Sequence, residues 1–184
     1  MKTLRAYILA ALFLFSLILI KGCNRTDSPT AAEEPSISGT ISFEKGSGPS
    51  AGGQGRISGT DRTFAFSAVT HKDGSVSGQG QLNNRAAGVK IHFSIDCISV
   101  SGNAATMSGT VTNSNFYVPG GPCWFKVKDN GEGVNAPPDE ITGFLFCEPD
   151  DPDPLCNQLT CDVNNESDAG GLNPIESGNI QVKP

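Results

Sequence analysis

Positive charge is scarce in this 184-residue chain, and one long stretch has none. Lys and Arg number 13 against 19 Asp and Glu, a formal net charge of −6. No Lys or Arg occurs between Asp129 and Val182. Phosphate backbones are held by clustered cations, so nucleic acid is a poor partner for this surface. Histidine is almost missing too: only His71 and His92 occur. A zinc site needs four well-placed ligands, and Cys156 and Cys161 have no second short-spaced pair and no nearby histidine to complete one. Trp124 is the sole tryptophan and there are two tyrosines, so a sugar-cleaving cleft with aromatic platforms is not evident. After the N-terminal segment no stretch shows a convincing helical period. The glycine-rich run GSGPSAGGQG has no following helix or lysine, so it is not a phosphate-binding loop.

The chain begins MKTLRAYILAALFLFSLILIKGC. Lys2 and Arg5 precede an apolar run of about fifteen residues. That length suits a signal-peptide core and is short of the ~20 residues a spanning helix needs. The run ends at Ile20-Lys21-Gly22-Cys23, which resembles a bacterial lipobox, with Lys21 departing from the usual small or apolar residue. The resemblance implies a signal peptide over 1–22 and a lipidated Cys23. Cleavage further on, near Ala31-Ala32, or an uncleaved anchor are the other readings. Cleavage before Cys23 leaves 10 basic and 19 acidic residues, a net charge of −9. Residues 23–35 read as a polar tether. The expected setting is the bacterial cell envelope, on the extracytoplasmic side, with the membrane contacted through the lipid.

Residues 36–184 read as one all-β domain. In RTFAFSAV, Phe64, Phe66 and Ala68 share one face. In GVKIHFSIDC, Val89, Ile91, Phe93, Ile95 and Cys97 oppose Lys90, His92, Ser94 and Asp96. In NAATMSGTVT, Ala105, Met107, Gly109 and Val111 do the same. Strict alternation argues for half-buried antiparallel strands. Turn signals such as Lys72-Asp73-Gly74 and Ser101-Gly102-Asn103 separate them. The spans expected are 54–60, 62–70, 75–83, 88–99, 104–113, 123–129, 140–147 and 177–183, with a less certain strand at 37–43. Short turns between consecutive strands predict an antiparallel meander of about eight strands closed into a small barrel; a two-sheet sandwich is the alternative. Phe64, Phe66, Ile91, Phe93, Met107, Phe125 and Leu145 are expected to line its interior, as a filled core or a ligand pocket.

The segments RTFAFSAVTHKDGSVSGQGQLNNR, IDCISVSGNAATMSGTVT, VKDNGEGVNAPPDEI and ESGNIQV together resemble the post-COAP domain of bacterial secreted proteins, over about Gly55 to Val182. The resemblance implies an extracytoplasmic all-β module and no reaction. The late Cys- and Asp-rich insertion departs from the simplest members.

That insertion, 148–168, carries seven carboxylates and three prolines. It reads as an irregular exposed loop pinned by disulfides, without a metal. Without Cys23 five cysteines remain. A hairpin centred near residue 135 would set Cys123 opposite Cys147 and allow a bond between them. Cys97 then has Cys156 or Cys161 as partner, with Cys161 favoured. A reactive thiol would need a base and an electropositive pocket, which this acidic region does not offer. Calcium is the alternative for two acidic loops. One set is Asp129, Asn130, Glu132, Asp139 and Glu140; the other is Asp162, Asn164, Glu166 and Asp168, where Ser167 replaces the expected glycine. His92, Ser94 and Asp96 have the composition of a hydrolase triad, but alternation on an exposed strand face produces the same set. The function expected is a structural or binding role without catalysis and without a cofactor. A small-ligand-binding barrel is the first alternative, and a secreted hydrolase the second.

Overall fold

The computed structural model describes residues 48–156, 159–162 and 171–184. The doubtful strand at 37–43 lies outside them. Nine strands run in sequence: β1 (Ser50–Ile57), β2 (Arg62–Thr70), β3 (Val76–Asn84), β4 (Val89–Ser101), β5 (Ala104–Ser114), β6 (Pro122–Lys128), β7 (Glu140–Ile141), β8 (Leu145–Phe146) and β9 (Asn173–Lys183). The order β5-β4-β3-β2-β1-β9-β7-β6-β8 closes on itself through β5–β6. Both β7 and β8 pair with β6, as two halves of one broken strand. The result is a closed eight-membered antiparallel barrel, with no α-helix among the described residues.

Period-two patterning explains the sidedness. In β2, Phe64, Phe66 and Ala68 are buried between more exposed neighbours; in β4, Ile91, Phe93 and Ile95 are buried likewise. Closure aims one face of every strand at a common axis. Six phenylalanines meet there. Phe125 packs 4.7 Å from Phe144, 5.1 Å from Phe66 and 5.7 Å from Phe93, centroid to centroid. Phe93 reaches Phe146 at 5.8 Å, and Phe64 reaches Phe66 at 6.1 Å. Each such pair adds about 0.5–1.5 kcal/mol beyond area burial. Gly80 makes room for this cluster, because a Cβ there would run into the Phe93 ring. At the β2–β3 turn Gly74 has φ +82, and Asp73 accepts from the amide and hydroxyl of Ser75. The Ser75 hydroxyl in particular holds the Asp73 carboxyl below its ordinary range.

Three expectations fail, each through a local change of register. Cys97 does not share the inner face of Ile95. A bulge between Ile95 and Cys97 skips Asp96, so Cys97 pairs with Ser108 on the outer face. Leu145 is not an interior residue. Its partner is Trp124, outside the core, and Phe146 points inward instead. Cys123 and Cys147 are not bonded. Val127 faces Ile141, but Cys123 faces Phe146, because the break over Thr142–Phe144 adds a residue. A one-residue slip reverses side-chain facing. Cys123 therefore points into the core as a free thiol, and Cys147 points out. Burial first, and then the nearby Asp96 charge, push the Cys123 thiol up to about 12.

Candidate functional site

The acidic loop between β6 and β7 is built around the weakest seam of the barrel. β7 is two residues long and pairs with β9 only at Pro174 and Asn173. Beyond that point β9 has a paired edge toward β1 and, among the described residues, an edge without a neighbouring strand. Carboxylates take the missing strand's place. Asp139 accepts from the amide of Ile180 through Oδ2 (2.7 Å) and from the amide of Asn130 through Oδ1 (2.8 Å). Asp129 accepts from the amide of Val182 through Oδ2 (3.0 Å) and from that of Gly131 through Oδ1 (2.8 Å). Glu132 accepts from the Asn179 side chain at 2.8 Å. Asp139 is only 5% exposed, so the backbone donors are what offset its desolvation. Glu140 accepts from Asn130 and Lys128. These contacts, Asn130 first, hold its carboxyl below the ordinary range. The calcium set Asp129, Glu132 and Asp139 thus does not converge on a common point; its oxygens fasten strand ends. In the second set Asp162 is exposed, while Asn164, Glu166 and Asp168 lie outside the described residues.

The cysteine-rich segment lies over the outside of the barrel. Cys97 and Cys161 are bonded, with Cα atoms 5.7 Å apart. Cys147 bonds Cys156, with Cα atoms 5.9 Å apart. The described part, 148–156 and 159–162, contains turns and no strand. Its carboxylates serve its own backbone: Asp151 accepts from the Asp153 amide, and Asp153 from the Leu155 amide. Glu148 accepts from the Val118 amide. Asp151 also comes near Cys147 and Cys156, with the donor atoms of all three within 4.8 Å of one another. Both sulfurs are committed to the disulfide, which leaves one carboxylate and no ligand set. Beneath the segment lies an outer row formed by Cys97, Ser108, Trp124 and Leu145. Trp124 is 1% exposed and its Nε1 donates to the Thr160 carbonyl at 3.0 Å. The stretch is therefore a strap over an outer apolar patch, not a free excursion.

His92, Ser94 and Asp96 do not form a relay. The Ser94 hydroxyl donates to the Thr110 carbonyl (3.3 Å), and Asp96 is exposed at the bulge. His71 exchanges a hydrogen bond with Ser77 at 2.6 Å.

No protein-family model, curated protein or solved structure matches this chain.

Among the described residues a groove of about 240 Å³ also lies on β2, β3 and β4. Thr63, Gln81, Asn83, Lys90 and His92 line it, together with Phe64, Leu82 and Ile91. The last three are buried core residues, so their backbone forms the floor and the five polar side chains form the walls. Cross-strand register builds it: Thr63 faces Asn83, Asn83 faces Lys90, and Gln81 faces His92. Of these residues, the sequence pattern singles out only His92 as a candidate for chemistry. The signal for the rest was present as the polar half of the alternation, but that half reads equally well as ordinary solvated surface.

Proposed function

We propose that this protein is a non-catalytic binding module, held at the bacterial envelope by a lipid on Cys23, and that it takes its ligand in the outer groove. The observation that carries the reading is the division of labour between the two faces of the barrel. Along the axis, Phe64, Phe66, Phe93, Phe125, Phe144 and Phe146 are in mutual ring contact. A packed aromatic interior favours a filled core over the small-ligand barrel. Asp129 and Asp139 are engaged with backbone amides, and Asp96, the carboxylate of the triad-like set, stands exposed at the bulge. Thr63, Gln81, Asn83, Lys90 and His92 are left to converge on one cleft, the arrangement of a recognition surface. The resemblance to the post-COAP domain agrees with an extracytoplasmic module.

Two measurements test the reading. Cells expressing the protein are labelled with a fatty-acid analogue; label should enter the wild type and not Cys23→Ala. The full-length protein in detergent micelles is then applied to an array of envelope polysaccharide fragments. Retention lost in a Gln81→Ala, Asn83→Ala double variant is expected. Retention unaffected by that variant would refute the groove as the binding face.

A further inference from the structure

The electrostatics of the groove go further and name its ligand class; this step rests on the groove being the binding face. The chain carries a net charge of −6, so a cationic spot on its surface runs against the background. Arg56 is ion-paired with Asp61 and Glu176, and Lys128 with Glu140. Arg62, Arg85 and Lys90 have no carboxylate partner among the described residues. Lys90 lines the groove; Arg62 and Arg85 do not, standing one residue before Thr63 and two after Asn83. Arg62 opens β2 opposite Asn84, the last residue of β3; Arg85 follows Asn84; Lys90 stands in the wall itself. Asp61, beside Arg62 in sequence, is already engaged by Arg56, and Asp96, the acid nearest Lys90 and Arg85 in sequence, lies beyond the groove lining.

We infer that the groove binds a sugar-acid unit of an acidic polysaccharide. Three features of the lining select this class. Lys90 supplies one formal positive charge inside the groove, which matches a monoanionic carboxylate. Thr63, Gln81 and Asn83 supply one hydroxyl and two amides, each able both to donate and to accept, as ring hydroxyls require. The floor is the backbone of three strands, and β3 is paired on both sides. Its amides are therefore used in the ladder, and the cradle of free N–H groups that suits phosphate is missing. A space of 240 Å³ is below the ~300–1,000 Å³ of drug-sized pockets and holds a single polar ring. Arg62 and Arg85, outside the lining, act on the neighbouring units of the chain only by longer-range Coulomb forces, which salt screens.

The test uses full-length protein in neutral detergent with tetragalacturonate, its fully methyl-esterified form and inorganic phosphate as probes. Affinity is measured by calorimetry and the contact residues by amide chemical-shift changes. Tetragalacturonate should bind, weaken with added salt, and shift amides of Thr63, Gln81, Asn83 and His92. The ester should bind about tenfold or more weakly, the scale of one charge-assisted hydrogen bond. Lys90→Gln should weaken the acid by a similar factor and leave the ester unchanged. Lys90 is exposed, so this variant is expected to fold; Asn83→Asp, which adds a repelling charge, gives a second route to the same loss. Equal binding of acid and ester in the groove would overturn the sugar-acid inference and leave the binding face intact. Phosphate competing as well as the sugar acid would also overturn it. No groove shifts with any saccharide would overturn both.

Discussion

Removing the Cys97–Cys161 bond should open the strap and expose Trp124 while the barrel stays closed. The expectation comes from comparing what holds the strap down. The bond joins residues 64 apart, a cross-link worth about 4 kcal/mol in the chain-entropy account. The hydrogen bond from Trp124 Nε1 to the Thr160 carbonyl is neutral, so its net contribution is about 0.5–1.5 kcal/mol. The second bond, Cys147–Cys156, spans only 9 residues and closes a turn within the segment itself. It does not tie the Cys161 end to the barrel. With Cys161 released, that end keeps the Trp124–Thr160 hydrogen bond, the half-buried Leu159 and other noncovalent contacts of Thr160 and Asp162. The ordering entropy of a residue, about 1–2 kcal/mol for its backbone alone, is enough to compete with that.

The assay is simple because Trp124 is the sole tryptophan. In Cys97→Ser, Cys161→Ser its emission should move to the red, and acrylamide should quench it far more efficiently. The far-ultraviolet spectrum should keep its β signature, since the ladders β3–β4, β4–β5 and β5–β6 do not pass through the strap. Unfolding free energy should fall by up to about 4 kcal/mol. Cys147→Ser, Cys156→Ser should disturb Trp124 much less. Unchanged emission and quenching in the first variant would refute the reasoning, as would peptide mapping that finds Cys97 free in the wild type.

Asp139→Asn replaces an acceptor oxygen with an amide that opposes the Ile180 or Asn130 N–H; it should cost about 1–3 kcal/mol in denaturant unfolding, and a neutral result would mean the seam does not depend on the carboxylate. Thr106 Oγ1 is fully buried without a hydrogen-bond partner among the described residues, so Thr106→Val should be neutral or stabilising; a loss beyond about 1 kcal/mol would reveal a partner. The Cys123 thiol ionises near 9.0 when unfolded and near 12 in the barrel, so above pH 9 the unfolded state releases a proton that the folded state keeps, and stability should fall as pH rises toward 12; Cys123→Ala should remove that slope, and its persistence would point to another group. Gly80→Val drives a side chain into the Phe93 ring and should cost about 1–3 kcal/mol or more, read from the thermal midpoint; an unchanged midpoint would show the ring has room to move.

The closed barrel was legible because each side chain's facing is a local property. Phe64, Phe66, Ile91, Phe93, Met107 and Phe125 were expected inside and are buried. What went wrong did so where one residue was inserted. The Ile95/Cys97 bulge turned Cys97 outward, and the break over Thr142–Phe144 turned Leu145 and Cys147 outward. Alternation cannot locate such an insertion in advance, because a stretch read in either register still alternates. The pairing of Cys97 with Cys161 survived because it does not depend on the β6–β8 register. The pairing of Cys123 with Cys147 depended on it entirely.

The acidic loop shows a second limit, of a different kind. Asp129, Glu132 and Asp139 read in the sequence as a cluster near one turn, with calcium or a solvated acidic turn as the alternatives and no sign of the amides they in fact hold. A carboxylate serves a cation and an amide equally well, since each is a source of positive potential within reach. The deciding fact lies in another part of the chain. Among the described residues Ile180 and Val182 have no strand partner on one edge, because β7 begins only at Glu140, opposite Pro174. An unpaired amide at a sheet edge costs free energy if it is sealed from water and invites aggregation if it is not. Aiming Asp139 and Asp129 at those two amides settles both problems without a ninth full strand. The loop's acidity is thus a consequence of an incomplete sheet, which no inspection of the loop by itself would disclose.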